Sequence, residues 1–463
     1  MKPITSLILS VLFLLNCQGP QSADLIITDA TIVDVINNSV IPNQLIAVSG
    51  DKIIATDDIS NLGNYTSEKI ISVEGRFVMP GLWDNHAHFR GGEDLVQENK
   101  DFLSLFLAYG ITTVRDAGGD ITPSLQEWEQ MIAENKLAGP TIFTPGPKLD
   151  GEEPAWEGSI SVTNSTEVSD ALDSLEAIKA DYVKMYDGSL SKDSFYDIIE
   201  QAEARGFKTT GHMPLTANLM RAVELGLDGT EHLYYPLTEG SPLGDSLIKA
   251  GVGYGMITPL MDSYDDELAK QAYATLAESE FYVTPTLHVG KTLAELLVVD
   301  HSEDSLLDYI SPKIVDTYQR RINLAERGGE SYTNMRAQWV TSFSNMVKPM
   351  YDAGIYILAG SDSGPFNSYT YPGESIHSEL ALLVNAGLTP QEALITSVVY
   401  GPKFFGLESE YGSIESDKIA DLLILNNNPL EDISNTTSIF GVIADGNWNS
   451  KSDLQELMNE IKN

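Results

Sequence analysis

The hydrophobic pattern divides the chain into three stretches. Over residues 24–79 the apolar positions fall in short β-branched runs broken by turns. The runs at 24–35, 44–48, 52–55, 69–73 and 76–78 carry no helical period, and Ser49-Gly50-Asp51 is one of the turns between them. They predict a small all-β unit. From Pro80 the pattern changes. Strand-like runs at 82–89, 111–115, 141–144, 182–186, 208–212, 228–232, 282–287 and 355–359 alternate with segments of i, i+3, i+4 spacing, such as Leu103, Phe106, Leu107 and Ile198, Ile199, Ala202. Eight such units predict an α/β fold centred on a (β/α)8 TIM barrel over 80–405. A long stretch of helical pattern, 289–352, is inserted before the eighth strand. After Phe405 strand character returns at 412–414, 420–425 and 441–446. These runs are expected to pair with the first ones, so that 24–79 and 406–463 form one discontinuous β-sandwich domain.

The first residues follow a different rule. Lys2 precedes a nearly unbroken apolar run, 4–15, closed by Leu14-Leu15-Asn16-Cys17. The run is short for a membrane span and reads as a signal peptide over 1–17, with 18–23 as a polar tether. It resembles a bacterial lipoprotein signal, in which Cys17 is lipidated and becomes the new N-terminus. Asn16 departs from the small residue expected there, and plain secretion is the competing reading. Either way the chain is expected to be exported to the bacterial cell envelope or periplasm. Cys17 is the only cysteine, so no intramolecular disulfide can form.

Composition narrows the partners. The 463 residues are 42% hydrophobic and 21% charged, a globular balance. Lys and Arg total 28 against 67 Asp and Glu, a net charge of −39. That excess argues against nucleic acid and against anionic membrane surfaces. A lipid on Cys17 would be the one membrane contact. The remaining partner is a small-molecule substrate, in a monomer or a homo-oligomer.

The chemistry is concentrated at the ends of the expected barrel strands, where active sites of such barrels lie. His86 and His88 end the first, two residues apart and therefore on one face. Lys184 lies near the end of the fourth, on the face of Tyr182 and Tyr186. His212 ends the fifth in Thr210-Gly211-His212-Met213-Pro214, and His232 the sixth in Gly229-Thr230-Glu231-His232-Leu233. Asp362 follows the eighth in Ala359-Gly360-Ser361-Asp362-Ser363-Gly364. Four of the 7 histidines occupy such positions, which chance explains poorly. Imidazole is the commonest metal ligand.

With these residues in place the chain resembles the metal-dependent amidohydrolase superfamily, in its imidazolonepropionase-like and prolidase-like group. Gly110-Ile111-Thr112-Thr113-Val114-Arg115-Asp116, Ala180-Asp181-Tyr182-Val183-Lys184-Met185-Tyr186, Gly387-Leu388-Thr389-Pro390-Gln391-Glu392-Ala393-Leu394 and Ile419-Ala420-Asp421-Leu422 carry the likeness, which covers about residues 24–446. The resemblance implies two divalent metals. His86, His88 and Asp362 would hold one, and His212 and His232 the other. Lys184, carboxylated by carbon dioxide, would bridge them together with a hydroxide. A protonated lysine cannot ligate a cation, whereas a carbamate offers two oxygens. Imidazole and carboxylate donors suit zinc best, with manganese or iron also suited. Asp362 would act as general base and then acid in hydrolysis of a C–N bond. A dipeptide or N-acyl amino acid is the expected substrate.

Four further residues are substrate-binding candidates: Arg115 for a carboxylate, and Tyr186, Tyr234 and His288 around the pocket. Asp84, on the face of His86, reads as support for the ligands. Prolidase-like relatives carry a Gly-Gly-His-Gly stretch after the third strand. The corresponding residues 146–158 hold no histidine, and Lys148 and Trp156 stand there instead. Three other readings compete. A mononuclear cyclic-amide hydrolase or deaminase of the same superfamily usually lacks the lysine. Deaminases also use a glutamate soon after the strand-five histidine, where Met213-Pro214-Leu215-Thr216 stands. A lactonase would use the same attack on an ester. A degenerate ligand-binding lipoprotein would be expected to have lost at least one of the six ligands.

Overall fold

The structure is a computed structural model that describes residues 19–463. The expected signal peptide, with Cys17, lies outside the described residues. No described helix is long and apolar enough to cross a membrane.

Eight parallel strands follow one another in the barrel: Leu82–Ala87, Ile111–Asp116, Thr141–Phe143, Val183–Met185, Thr209–Gly211, Gly229–Glu231, Tyr282–Thr284 and Tyr356–Ile357. Strands one to three form one ladder, four and five a second, and six to eight a third. Backbone bonds span two of the three breaks. Asp181 N donates to Thr144 O (2.9 Å) between strands three and four. Asn85 N donates to Ala359 O (2.9 Å), and Asp362 N to His86 O (2.7 Å), where the eighth segment meets the first. Strands one, two, four, five, six and seven are buried along their whole length, as expected where helices cover a parallel sheet. Tyr182, Tyr282, Leu358 and Phe404 cluster inside the base of this ring.

Both chain ends supply the second unit. Strands Leu25–Asp34, Ser39–Ser49, Lys52–Asp58, Ile70–Ser72 and Phe77–Pro80 join Leu422–Leu425, Ile439–Ala444 and Asn447–Ser450 in one eight-stranded sheet. Phe77–Pro80 pairs antiparallel with Leu422–Leu425 and stitches the two ends together. The far edge returns to the same place: Ile53 N donates to Lys418 O (2.8 Å) and Ala420 N to Asp51 O (2.7 Å). Ile27, Ile46, Val48 and Ile53 thereby share a core with Ile414, Leu422, Ile424 and Ile443. The last helix, Lys451–Glu460, leaves this unit, and its Leu454 and Met458 join the barrel core.

The insertion before the eighth strand consists chiefly of helices Leu287–Glu295 and Pro312–Ala353. Ser311 caps the second through Lys313 N, and Pro312 opens it. Gly354 ends it with a left-handed residue. Gly329, at φ 54° and ψ −143°, breaks it into two legs. Only glycine adopts that backbone cheaply.

Candidate metal centre

All six expected ligands converge at the carboxyl end of the barrel. Asp362 Oδ1 lies 3.0 Å from His88 Nε2 and 3.5 Å from His86 Nε2. Ligand atoms of His86, His232 and Asp362 all fall within 4.8 Å of one another. His232 Nε2 is 3.1 Å from His212 Nε2. Lys184 Nζ is buried, 3.3 Å from Glu231 Oε1, and Glu231 Oε2 is 2.6 Å from His86 Nδ1.

The network fixes which ring nitrogens are free. The Thr286 hydroxyl donates to Pro285 O (2.8 Å), so at 2.6 Å it accepts from His232 Nδ1. That leaves His232 Nε2 as a bare lone pair. His212 Nδ1 faces Asp187 Oδ1 at 3.2 Å, so that a proton on Nδ1 would leave its Nε2 free for a metal. Glu231 Oε2 faces His86 Nδ1 in the same way. Burial, then positive neighbours, holds His88 and His232 well below the usual imidazole range, so both are neutral. Burial alone would raise Asp362, but His86 and His88 hold it well below the usual carboxylate range. The two Nε2 atoms, 3.1 Å apart, are close enough to face one shared cation. The donor set thus fits a divalent metal site of imidazole and carboxylate.

The backbone is held in place for this purpose. His232, Thr286 and Asp362 all have positive φ (62°, 49° and 57°). Aspartate tolerates that region, whereas a β-branched threonine there is an outlier. Such residues cost on the order of 1–3 kcal/mol each and cluster at functional sites. Asp84 does not reach the cavity. It accepts from Ser361 N (2.9 Å), Ser361 Oγ (2.5 Å) and His86 N (3.2 Å), tying the Asp362 loop to the first strand. Asn367 Nδ2 donates to Asp362 Oδ1 at 2.8 Å and orients it. Gly211 passes so near strand four that a Cβ would meet Met185 O at 2.2 Å, which sets the distance between the lysine and histidine strands.

Glu231 is the residue whose role the sequence did not disclose. It is fully buried and touches His86, Lys184, Thr210 (3.1 Å) and Arg115 (3.0 and 3.2 Å). Burial would raise its pKa, but Arg115, Lys184 and His86 hold it well below the usual range. A strand alternation argument places Glu231 and His232 on opposite faces. The left-handed turn at His232 cancels that alternation, and both approach His86.

The substrate candidates separate. Tyr186 and Tyr234 line a cavity of about 370 Å³ whose wall also includes His212, His232 and Asp362. The Tyr186 ring lies 4.5 Å from that of His212. Arg115 is 1% exposed and is not on that wall. Its guanidinium is used up on Glu231, Thr284 Oγ1 (3.0 Å) and Asn85 O (2.6 Å), above the Tyr182 and Phe404 rings, so the sequence expectation that it binds a substrate carboxylate is corrected. His288 is absent from the wall as well, although its neighbours Leu287 and Val289 are on it. Lys148 is buried and donates to Gly118 O (3.0 Å).

Comparison with known proteins matches residues 77–448 to the amidohydrolase family. Curated relatives are matched only in part. An adenine deaminase of Geobacillus kaustophilus is 36% identical over 92 residues, 20% of this chain and 14% of that protein. Adenine deaminase 3 of Rhizobium meliloti is 24% identical over 259 residues, 54% of this chain and 42% of that protein. Solved structures match nearly end to end. A bottromycin amidohydrolase superposes with a TM-score of 0.73 at 19% identity, over 94% of this chain and 90% of that one. A Xaa-Pro dipeptidase superposes with a TM-score of 0.65 at 21% identity, over 92% and 99%. The ochratoxinase of A. niger gives 0.65 at 17%, over 92% and 96%. These likenesses establish the shared fold, and the family match, which spans barrel and ligands together, establishes that the chain belongs to the amidohydrolase family, metal-dependent hydrolases of carbon–nitrogen bonds.

Proposed function

We propose that the chain is a binuclear amidase that hydrolyses the amide bond of a dipeptide or N-acyl amino acid. The observation that carries this reading is the approach of His212 Nε2 to His232 Nε2, 3.1 Å, beside the His86, His88 and Asp362 group, with buried Lys184 behind Glu231. His86, His88 and Asp362 would hold one metal, His212 and His232 the other, zinc being the best match to the donors. Lys184 would join them as a carbamate. Burial brings its amine down to about 8, against the pull of Glu231. A neutral fraction is therefore available to carbon dioxide near neutral pH. A carbamate nitrogen keeps one N–H, which Glu231 Oε1 can accept. The metals, when bound, activate water and polarise the scissile carbonyl.

The chain's own residues do the rest. Asp362, oriented by Asn367, takes the water's proton and passes it to the leaving nitrogen. Tyr186 and Tyr234 flank the substrate on the cavity wall. Adenine deamination is disfavoured, because those relatives match only part of the chain and Met213 and Pro214 stand where a deaminase carries its acid. Lactone hydrolysis remains the second reading, since the same attack opens an ester.

The test is a panel of dipeptides, N-acetyl amino acids, lactones and adenine, assayed on metal-loaded protein before and after chelation. Amide turnover that vanishes with chelation and returns with zinc is the expected result. Asp362→Asn is expected to retain most metal and to lose roughly 10²–10⁴-fold in turnover. Turnover of lactones or adenine alone would replace this reading.

A further inference from the structure

Nine arginines occur in the chain. Arg76, Arg115, Arg205 and Arg221 pair with carboxylates. The other five, Arg90, Arg320, Arg321, Arg327 and Arg336, have no such partner among the described residues. With 67 acidic residues to 28 basic ones, partners are plentiful, so unpaired arginines call for a reason. Arg321 and Arg336 line the cavity above the metal ligands. They come from opposite legs of the inserted helix, on either side of the break at Gly329. Arg336 Nε is buried without a hydrogen-bond partner, and its guanidinium lies 5.1 Å from the Trp339 ring. Arg321 makes one long bond, 3.4 Å to Asn367 Oδ1. Among the described residues the one carboxylate on the cavity wall is Asp362, which His86 and His88 already engage.

The rest of the wall is largely apolar and includes the rings of Tyr234, Tyr254, Tyr332, Trp339 and Phe343. Tyr234 meets Trp339 and Phe343 edge-on, at 5.9 and 5.4 Å between ring centroids. Arg336 is itself half-buried, but its buried Nε is an unmet donor, which costs stability unless an acceptor arrives. A planar guanidinium on an aromatic platform is preorganised for a carboxylate. A cavity of about 370 Å³ is also of the size that takes a small organic ligand.

We propose that this cavity selects amide substrates carrying a carboxylate beside an aromatic or bulky apolar group. Arg321 and Arg336 hold the carboxylate, while Tyr234, Trp339 and Phe343 pack the apolar part. The inference rests on the amidase reading above for its substrate class, but its recognition residues belong to the inserted helix and the sixth-strand loop.

Binding tests it without turnover. The probes are 3-phenylpropionate and its neutral isostere 3-phenylpropanamide, titrated calorimetrically into metal-loaded protein. The parent is expected to prefer the acid by about tenfold or more, the scale of a charge-assisted hydrogen bond. Arg321→Gln combined with Arg336→Gln is expected to abolish that preference, with metal content and amide affinity unchanged. Unchanged amide affinity shows that the pocket is still folded. A preference that survives the double substitution would place the acid on the metals and overturn the proposal, as would a parent with no preference. Equal hydrolysis of acidic and neutral amides would overturn the pocket and leave the hydrolase standing. Charge-selective binding without amide turnover would do the reverse.

Discussion

At the scale of single residues, the site depends on a carboxylate that touches no substrate. Glu231 is hydrogen-bonded to His86 Nδ1, balances Arg115 and lies against Lys184, so three functions fail together if it is lost. Glu231→Gln keeps the shape but leaves a buried guanidinium without its counter-charge. Breaking such a pair costs about 3–5 kcal/mol. The expected outcome is a large drop in melting temperature together with weaker zinc binding. A variant that melts like the parent and holds zinc equally well would show that Glu231 is a bystander. The cluster of histidines was legible in the sequence, because His86, His88, His212 and His232 stand at strand ends. Glu231 and Arg115 were read less well for a shared reason. A charged residue on a barrel strand looks the same in sequence whether it lines the mouth or is buried beneath it. Only the aromatic rings of Tyr182 and Phe404 under Arg115 reveal the deeper layer.

At the scale of elements, the site is set by how closely the strands approach one another. Gly211 has φ 142°, and a side chain there would run into Met185 O. Gly211→Ala is expected to push strand five from strand four, costing about 1–3 kcal/mol as overpacking. Because Lys184 is paired in register with Thr210, the same shift separates Lys184 from His212. Metal content should therefore fall along with the melting temperature. Loss of stability with full metal loading would mean that the spacing is not critical. The order of the eight strands was readable from the alternation of apolar runs and helical spacing, but their lengths were not. The fourth to seventh ladders run only three residues, against five or six expected. Side chains account for part of the difference: Asp181 Oδ2 accepts from Thr144 N and Asp228 Oδ2 from Thr209 N, in place of ladder partners. The break at Gly329 was hidden inside a continuous helical pattern, because a glycine pair in a helix shows only as a weak position.

At the scale of the whole molecule, several acids are buried on folding, one of them, Asp421, where the two chain ends meet. Burial, then Asp445, pushes Asp421 up from the usual carboxylate range to about 8. Burial likewise raises Glu379 and Glu129 to about 8, and Asp84 and Asp116 to about 6. Each binds a proton more tightly folded than unfolded. Their contribution to stability is full below pH about 4 and is lost as pH rises toward 8. The net charge of −39 adds self-repulsion in the same direction. Asp421→Asn should raise the melting temperature at pH 8, leave it nearly unchanged below pH 4, and flatten the slope between. A slope equal to the parent's would remove Asp421 from the account.

The central claim is that Lys184 bridges two metals, and elemental analysis tests it most directly. Protein expressed without residues 1–17 is expected to carry about two zinc ions per chain, falling to one or fewer in Lys184→Ala. One metal per chain in the parent, or a content indifferent to the substitution, would contradict the binuclear site.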